Sequence, residues 1–319
     1  MAISEPSNQL RPDDLYPSRI FATPSIQARQ DPVVYSSCLN SPVSPADVDS
    51  YARNGFLFLE SVFDEEEVRL FIEELERLNR TRTLAAREEA ITERNSGRLR
   101  SLFRVHELNP LFKKLSTDER IVKIAEHIIG GPVYIHQSRL NFKPGFSGKE
   151  FYWHSDFETW HVEDGLPRMR TVSVSINLME NNEFNGPLML IPGSHESYVA
   201  CIGATPDNHY KQSLKQQQYG IPDEASLRLL ESKSGIVAPK GPAGSVTIFD
   251  CNTMHGSNGN ISPYPRCNVF FVFNSVENQP VAPFCGKSPR PAFIAARGNI
   301  SPIQAARNNY LEIAREYRR

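Results

Sequence analysis

The sequence is poor in cysteine, in tryptophan and in net charge, and each shortage narrows what the chain can be. Its five cysteines, Cys38, Cys201, Cys251, Cys267 and Cys285, are odd in number, scattered, and nowhere spaced as C-x-x-C. That excludes a disulfide framework and leaves reduced thiols as the expectation. With 35 Lys+Arg against 37 Asp+Glu the formal charge is −2, which provides no positive field for collecting phosphates and argues against nucleic acid as a partner. Apolar runs such as Val269 to Phe273 are about a quarter of what a bilayer crossing requires, so no membrane partner is expected. The opening residues lack the basic and then apolar stretch of a secretory signal, and the expected location is the cytoplasm. H-E-x-x-H, G-x-S-x-G and Walker patterns are missing too, which removes zincins, serine hydrolases of the nucleophile-elbow type and P-loop enzymes.

What is present is material for a large core, 39% hydrophobic in 319 residues, arranged in two textures. Residues 1–43 are rich in Pro, Ser and Asn without periodicity and read as an extended segment packed over the core, with no chemistry of its own. Residues 44–319 read as a single domain. Its first part, about 44–130, looks like a helical layer. Ser44 caps a helix that has Pro45 at its first position and stops at Gly55, and residues 56–58 form a short strand. Asp64 with Glu67 opens an amphipathic helix, and a third helix runs over about 118–129. The highly charged stretch 83–100 reads as a loose helix with a solvated face. From about 131 to 280, short apolar segments at 133–135, 139–142, 171–178, 188–191, 245–249 and 268–273 alternate with Gly, Pro and Asn clusters, the pattern of many strands in a sandwich or barrel. An insertion at about 203–236 and a C-terminal extension from 281 to 319 complete the plan. The fold class is mainly β with flanking helices.

Among eight histidines only a constellation carries weight. His154-Ser155-Asp156 sits at the end of an extended segment, where positions i and i+2 share a face. His255, far downstream after another strand, supplies a third donor. Two histidines and a carboxylate on one face, with open positions opposite, are the ligand set of non-haem Fe(II) oxygenases. Arg266 stands eleven residues beyond His255. Buried, and with Ser257 nearby, it can grip a carboxylate in bidentate fashion; spacing alone leaves it equally open as a surface residue after Pro263-Tyr264-Pro265. His161-Val162-Glu163 repeats the H-x-[DE] pattern but lacks a downstream His and Arg to complete a second site, so His161 is assigned a supporting or surface role.

These residues, with Asn54 to Glu60 and the segments Gln137 to Phe146, Phe151 to His161, Asn185 to Met189, Pro192 to His195 and Asp14 to Arg19, resemble the iron(II) and 2-oxoglutarate dependent dioxygenases of the phytanoyl-CoA hydroxylase type, and within them the ectoine hydroxylase branch. The resemblance runs from about 14 to 310. It implies a double-stranded β-helix (jelly-roll, cupin-like) core, with iron held by His154, Asp156 and His255, which form the catalytic centre, and O2 as a further cosubstrate. It also implies 2-oxoglutarate held by Arg266, Ser257, Asn141 and Phe151, with Ser173, and ectoine bordered by Gln137, Trp160, Phe249 and Phe270. A basic residue near the end completes the substrate contacts, assigned to Arg290 with Lys287 and Arg297 as alternatives. The implied activity is hydroxylation of ectoine to 5-hydroxyectoine by a homodimer. The same chemistry on another small amino-acid-like metabolite, and a non-catalytic cupin-like metal-binding protein, are the competing readings.

Overall fold

The structure, a computed structural model, describes residues 11–37, 41–92, 99–208, 210–213, 219–298 and 300–317. Cys38 lies outside them. Two sheets face each other as a double-stranded β-helix. The larger has seven strands. Taken in chain order, β1 (Ser25–Ala28) precedes the first of them, β2 (Phe56–Leu59), which is followed by β3 (Ala90–Thr92), β4 (Leu99–Phe103) and β5 (Val133–Lys143). Next come β6 (Phe151–His154), β7 (Thr171–Asn177), β8 (Leu188–Leu190) and β9 (Ser197–Ala200), and the chain ends its β-structure with β10 (Val246–Asp250), β11 (His255–Ser257) and β12 (Arg266–Ser275). The large sheet has the order β2-β10-β7-β12-β5-β4-β3, the small one β6-β11-β8, and β1 pairs with β9.

Alternation along the strands decides which face does what. On β12, Cys267, Val269, Phe271 and Phe273 join the main apolar cluster with Val172, Val174 and Ile176 of β7 and the helices outside. Residues of the opposite parity, Arg266, Asn268, Phe270 and Val272, therefore turn toward the small sheet. Helix Glu119–Ile129 packs on the outer face against β5, β7 and β12. Its apolar residues recur at helical spacing from Ile121 to Ile129, and Asp118 caps it.

Several expectations hold and several do not. Helix Pro45–Asn54 has the Ser44 cap, with a capping box to Asp47, and ends at a left-handed Gly55; helix Glu65–Arg80 has the Asp64/Glu67 box. Of the stretch 83–100, residues 93–98 lie outside the described residues, and the remainder is not a loose helix. After a short 3-10 turn at Arg82–Ala86 it enters β3 and then β4, which pair with each other while β4 pairs with β5. The charged composition masks sheet-edge strands, and the polar residues of β4 are not solvated: Arg100 and Ser101 are buried against the sheet. The segments 133–135 and 139–142 are one strand, interrupted by a bulge: Gln137 pairs with Val272 and Ile135 with Phe273, leaving His136 extra. The N-terminal segment is buried in part, with Tyr16 0% and Arg19 3% exposed. Among the described residues no helix is long and apolar enough to cross a membrane.

Gly55 links this framework to the loop before His255. Its carbonyl accepts from Asp250 N (2.9 Å) and Thr253 Oγ1 (2.8 Å), its φ is +80°, and an added Cβ would lie 2.5 Å from the His195 ring and 2.6 Å from Thr253 Oγ1. Gly55→Ala is expected to cost more than ~1 kcal/mol of stability, read as a lower urea midpoint; an unchanged midpoint would show that these neighbours yield freely.

Candidate active site

β6 and β11 are neighbours in the small sheet, and their register sets His154 opposite His255 and Phe151 opposite Ser257. The two imidazole centroids are 4.2 Å apart. Asp156 is not on the strand as expected. β6 ends at His154, the Ser155 side chain caps a short helix at Asp156–Thr159, and Asp156 is its first residue. The turn still delivers the carboxylate, 3.7 Å from His154 Nε2 and 3.9 Å from His255 Nε2. One ligand atom from each of the three residues lies within 4.8 Å of the others.

The donor set fits a divalent first-row metal. Nδ1 of His154 is 2.7 Å from the Tyr152 carbonyl, and Nδ1 of His255 is 2.9 Å from that of Thr253. A carbonyl only accepts, so each Nδ1 carries the proton and each Nε2 lone pair is free for a metal. Burial and the neighbouring His255 push the His154 ring down to about 4, which keeps it neutral. Burial opposes the charge on Asp156, but His255, His154 and Arg139 outweigh it and hold the carboxyl below its usual range. Ser173, expected beside the cosubstrate, has its Oγ 3.3 Å from Asp156 Oδ2.

The inner face of the large sheet carries a second feature. Along β5, Gln137, Arg139, Asn141 and Lys143 share one face, and across the β5–β12 register they stand opposite Val272, Phe270, Asn268 and Arg266. Arg266 is 6% exposed rather than a surface residue, and its Nε has no hydrogen-bond partner. Burial pushes its guanidinium down to about 10. Lys143, which sequence reasoning missed, donates to Ser257 Oγ at 2.8 Å and to the Asn258 carbonyl. Burial, then Arg266 and Arg100, push its ammonium down to about 6. Phe151 lies under this group, 5.5 Å from Lys143 Nζ and 4.8 Å from the Arg100 guanidinium carbon. Asn141 accepts from Ser101 at 2.8 Å. An open donor on buried Arg266, beside a Lys143 that reaches only neutral oxygens, fits an anionic ligand. Arg139, also missed, has an unpartnered Nε and lies 5.1 Å over the Phe270 ring. Counting every second residue from Asn141 would have found both.

Phe249 and Phe270 share a small cluster with Leu188 and Leu190, and the Phe249 ring is 5.0 Å from His255. Trp160 is on a helical turn: the short helix passes into a π-helical turn at Trp160–Asp164. Its ring meets His136 edge-on at 5.5 Å and packs with Val272, the register partner of Gln137. Gln137 donates to the Ile294 carbonyl at 2.8 Å. Arg290 forms a two-pronged pair with Asp164, through Nε at 2.8 Å and through Nη2. Lys287 pairs with Asp207 outside, and Arg297 reaches backbone carbonyls of Asp164 and Val281. His161 is fully buried, bonded to Leu166 O and Asp14 and stacked on Phe284, so its role is structural.

A double-stranded β-helix carrying two histidines and one aspartate as a three-donor face is the architecture of the non-haem metal oxygenases. The model of the phytanoyl-CoA dioxygenase family matches residues 51–267, and the chain belongs to that family. It is 55% identical to an ectoine dioxygenase of Stutzerimonas stutzeri over 93% of this chain and 99% of that protein. To one of Streptomyces coelicolor it is 51% identical over 91% and 97%. The crystal structure of EctD from S. alaskensis with 2-oxoglutarate and 5-hydroxyectoine superposes with a TM-score of 0.85 at 45% identity, covering 93% of this chain and 99% of that one.

The depressed Lys143 gives a pH signature. Above about pH 6 the lysine is neutral in the free protein, and a bound carboxylate favours its charged form, so binding takes up a proton. Affinity of the metal-free protein for 2-oxoglutarate is expected to fall by up to about tenfold per pH unit above that point and to be flat below it. Calorimetry in buffers of different ionisation heat checks this. Lys143→Met should abolish the proton uptake, and uptake that survives in the variant would assign it elsewhere.

Proposed function

We propose that the chain is an iron(II)- and 2-oxoglutarate-dependent dioxygenase that hydroxylates ectoine to 5-hydroxyectoine. The observation that carries this reading is the presence, inside one barrel, of a three-donor metal face at His154, Asp156 and His255 and an unpaired buried guanidinium at Arg266. Ectoine dioxygenases matching nearly the whole chain support the choice of substrate.

When bound, the iron supplies the redox chemistry by which O2, 2-oxoglutarate and a substrate C–H bond become succinate, carbon dioxide and an alcohol. The chain contributes binding and orientation. Nε2 of His154 and of His255, with the Asp156 carboxylate, hold the metal from one side, and Ser173 steadies that carboxylate. Arg266 and Lys143 take the far carboxylate of 2-oxoglutarate, with Ser257, Asn141 and Phe151 around it. Ectoine is a small ring with a delocalised amidinium cation and a carboxylate. Aromatic walls at Trp160, Phe249 and Phe270 suit the cation, and Gln137 offers it a polar contact. Arg290 serves the acid. Asp164 engages its Nε and one Nη2 proton, and a guanidinium has five N–H groups, so its remaining donors are available for a second carboxylate. A homodimer belongs to the same proposal and is checked by sedimentation.

The deciding experiment is turnover with ectoine, iron(II), 2-oxoglutarate and O2, with chromatography of the products; succinate without 5-hydroxyectoine would overturn the choice of substrate. Trp160→Ala is expected to remove about 1–2 kcal/mol of cation–π and packing energy and to lower hydroxylation more than about tenfold through misplacement of the reacting carbon. Decarboxylation of 2-oxoglutarate without substrate should persist. A folded Trp160→Ala protein hydroxylating ectoine at the parental rate would refute the aromatic wall.

A further inference from the structure

We propose that Arg19, in the N-terminal segment, is a positioning residue that locks the π-helical turn carrying Trp160 and so sets the substrate wall relative to Asp156. The inference rests on the dioxygenase reading above for its functional consequence, but its geometry stands alone.

Arg19 adopts a left-handed φ of +61° and its side chain is 1% exposed. Its guanidinium forks onto Glu158, with Nε to Oε1 at 2.9 Å and Nη2 to Oε2 at 2.6 Å, and reaches Glu163 Oε1 through Nη1 at 2.6 Å. Glu158 lies two residues after Asp156, Glu163 three after Trp160. These two glutamates are five apart. In an α-helix, neighbours on one face are three or four apart; a π-turn closes at i to i+5. The π-turn at Trp160–Asp164 is therefore what lets one guanidinium serve both glutamates, and the guanidinium in turn selects that winding over the α-helical one. Leu166 N donating to Trp160 O at 3.1 Å, and Gly165 at φ +76°, where a Cβ would strike Val281 O at 2.3 Å, end the turn in this register.

The same group draws in three other parts of the chain. Ser18 Oγ donates to Glu158 at 2.7 Å and accepts from Cys201 N at 2.9 Å. Thr205 Oγ1 accepts from Arg19 Nη1 at 3.0 Å. Gly220 passes so close that a Cβ there would lie 2.5 Å from both Arg19 Nη2 and Glu158 Oε2. Tyr16, on the same segment, packs edge-on against Phe157 at 5.2 Å. The N-terminal segment, the region after β9 and the turn bearing Trp160 thus meet on one buried charge cluster whose hydrogen bonds reach none of the three metal-face side chains, while Glu163 and Thr205 also line a cavity that extends to Arg290.

The test uses Arg19→Met, Arg19→Lys and the milder Glu163→Gln, each in the parent and in a Trp153→Phe background, so that Trp160 is the only tryptophan. In the metal-free protein, loss of the lock is expected to red-shift Trp160 emission and to raise its acrylamide quenching at least twofold at unchanged far-ultraviolet circular dichroism. In the loaded enzyme the KM for ectoine is expected to rise about tenfold, the KM for 2-oxoglutarate to stay within twofold, and succinate formed per 5-hydroxyectoine to increase at least threefold. Arg19→Lys, which keeps charge without the fork, should recover only part of this. Parental emission, quenching and coupling in a folded Arg19→Met protein would overturn the proposal, and so would an equal rise in both KM values, the mark of general loosening. If Arg19→Met does not fold, Glu163→Gln decides by the same readouts, since it leaves the Glu158 fork intact. A parent that makes no 5-hydroxyectoine refutes the functional reading alone, because the fluorescence arm still reads the lock.

Discussion

Buried basic groups with no carboxylate hydrogen-bonded to them are the constraint on which the rest of this interior depends. Elsewhere the fold pairs what it buries: Arg29 with Asp250, Arg19 with Glu158 and Glu163, Arg290 with Asp164, Asp31 with Arg168. Inside the barrel, Arg266 and Arg139 keep unpartnered Nε groups, and Lys143 has only neutral oxygen acceptors. A desolvated cation costs several kcal/mol unless something compensates it. That cost is tolerable in a folded chain when an anionic ligand supplies the compensation.

The antiparallel register converts this constraint into geometry. Because β5 and β12 run side by side, a single alternation places Lys143 beside Arg266 and Gln137 beside Val272 at the other end. The two ends are six residues apart on one strand, roughly 20 Å, so the anion seat and the substrate wall occupy opposite ends of the same inner face. The small sheet closes over the middle with His154 and His255. Backbone carbonyls, which cannot change protonation, fix both imidazole tautomers. The metal face is thereby oriented by strand backbone rather than by side chains that could rotate away.

How much of this was legible in the sequence depended on whether a local rule or a tertiary one was in control. Helix ends at Ser44, Gly55, Asp64 and Asp118 follow from capping chemistry, which is local. The strand content from 133 onward followed from apolar segments between turn residues. The triad follows from residue type and spacing but not from strand alternation, because β6 ends at His154 and Ser155 caps a helix that starts at Asp156. Lys143 was overlooked because a lysine in sequence reads as solvated, and only its strand parity with Gln137 and Asn141 says otherwise. The hairpin of β3 and β4 was lost to its charge, and the π-turn has no local signature: two glutamates five apart look like two unrelated surface acids until a distant arginine is placed between them.

The bulge at His136 shows why such deviations gather here. In a regular strand His136 and Gln137 would face opposite sides. With one residue extra against Val272 and Phe273, both turn inward, and His136 meets the edge of Trp160 and stands 3.7 Å from Asp164, the partner of Arg290. A bulge on β5 and a π-turn after Asp156 are each one residue away from regular structure. Each displaces side chains on its own segment by one position, and the two displaced sets touch. Regular strands and helices would leave Trp160 without the His136 edge behind it and Glu158 out of reach of the guanidinium that holds Glu163. The wall at this end of the barrel is therefore built where two irregularities meet, and at the far end the β6–β11 register also shifts between His255 and Ser257, so that Ser257 comes opposite Phe151 at the anion seat.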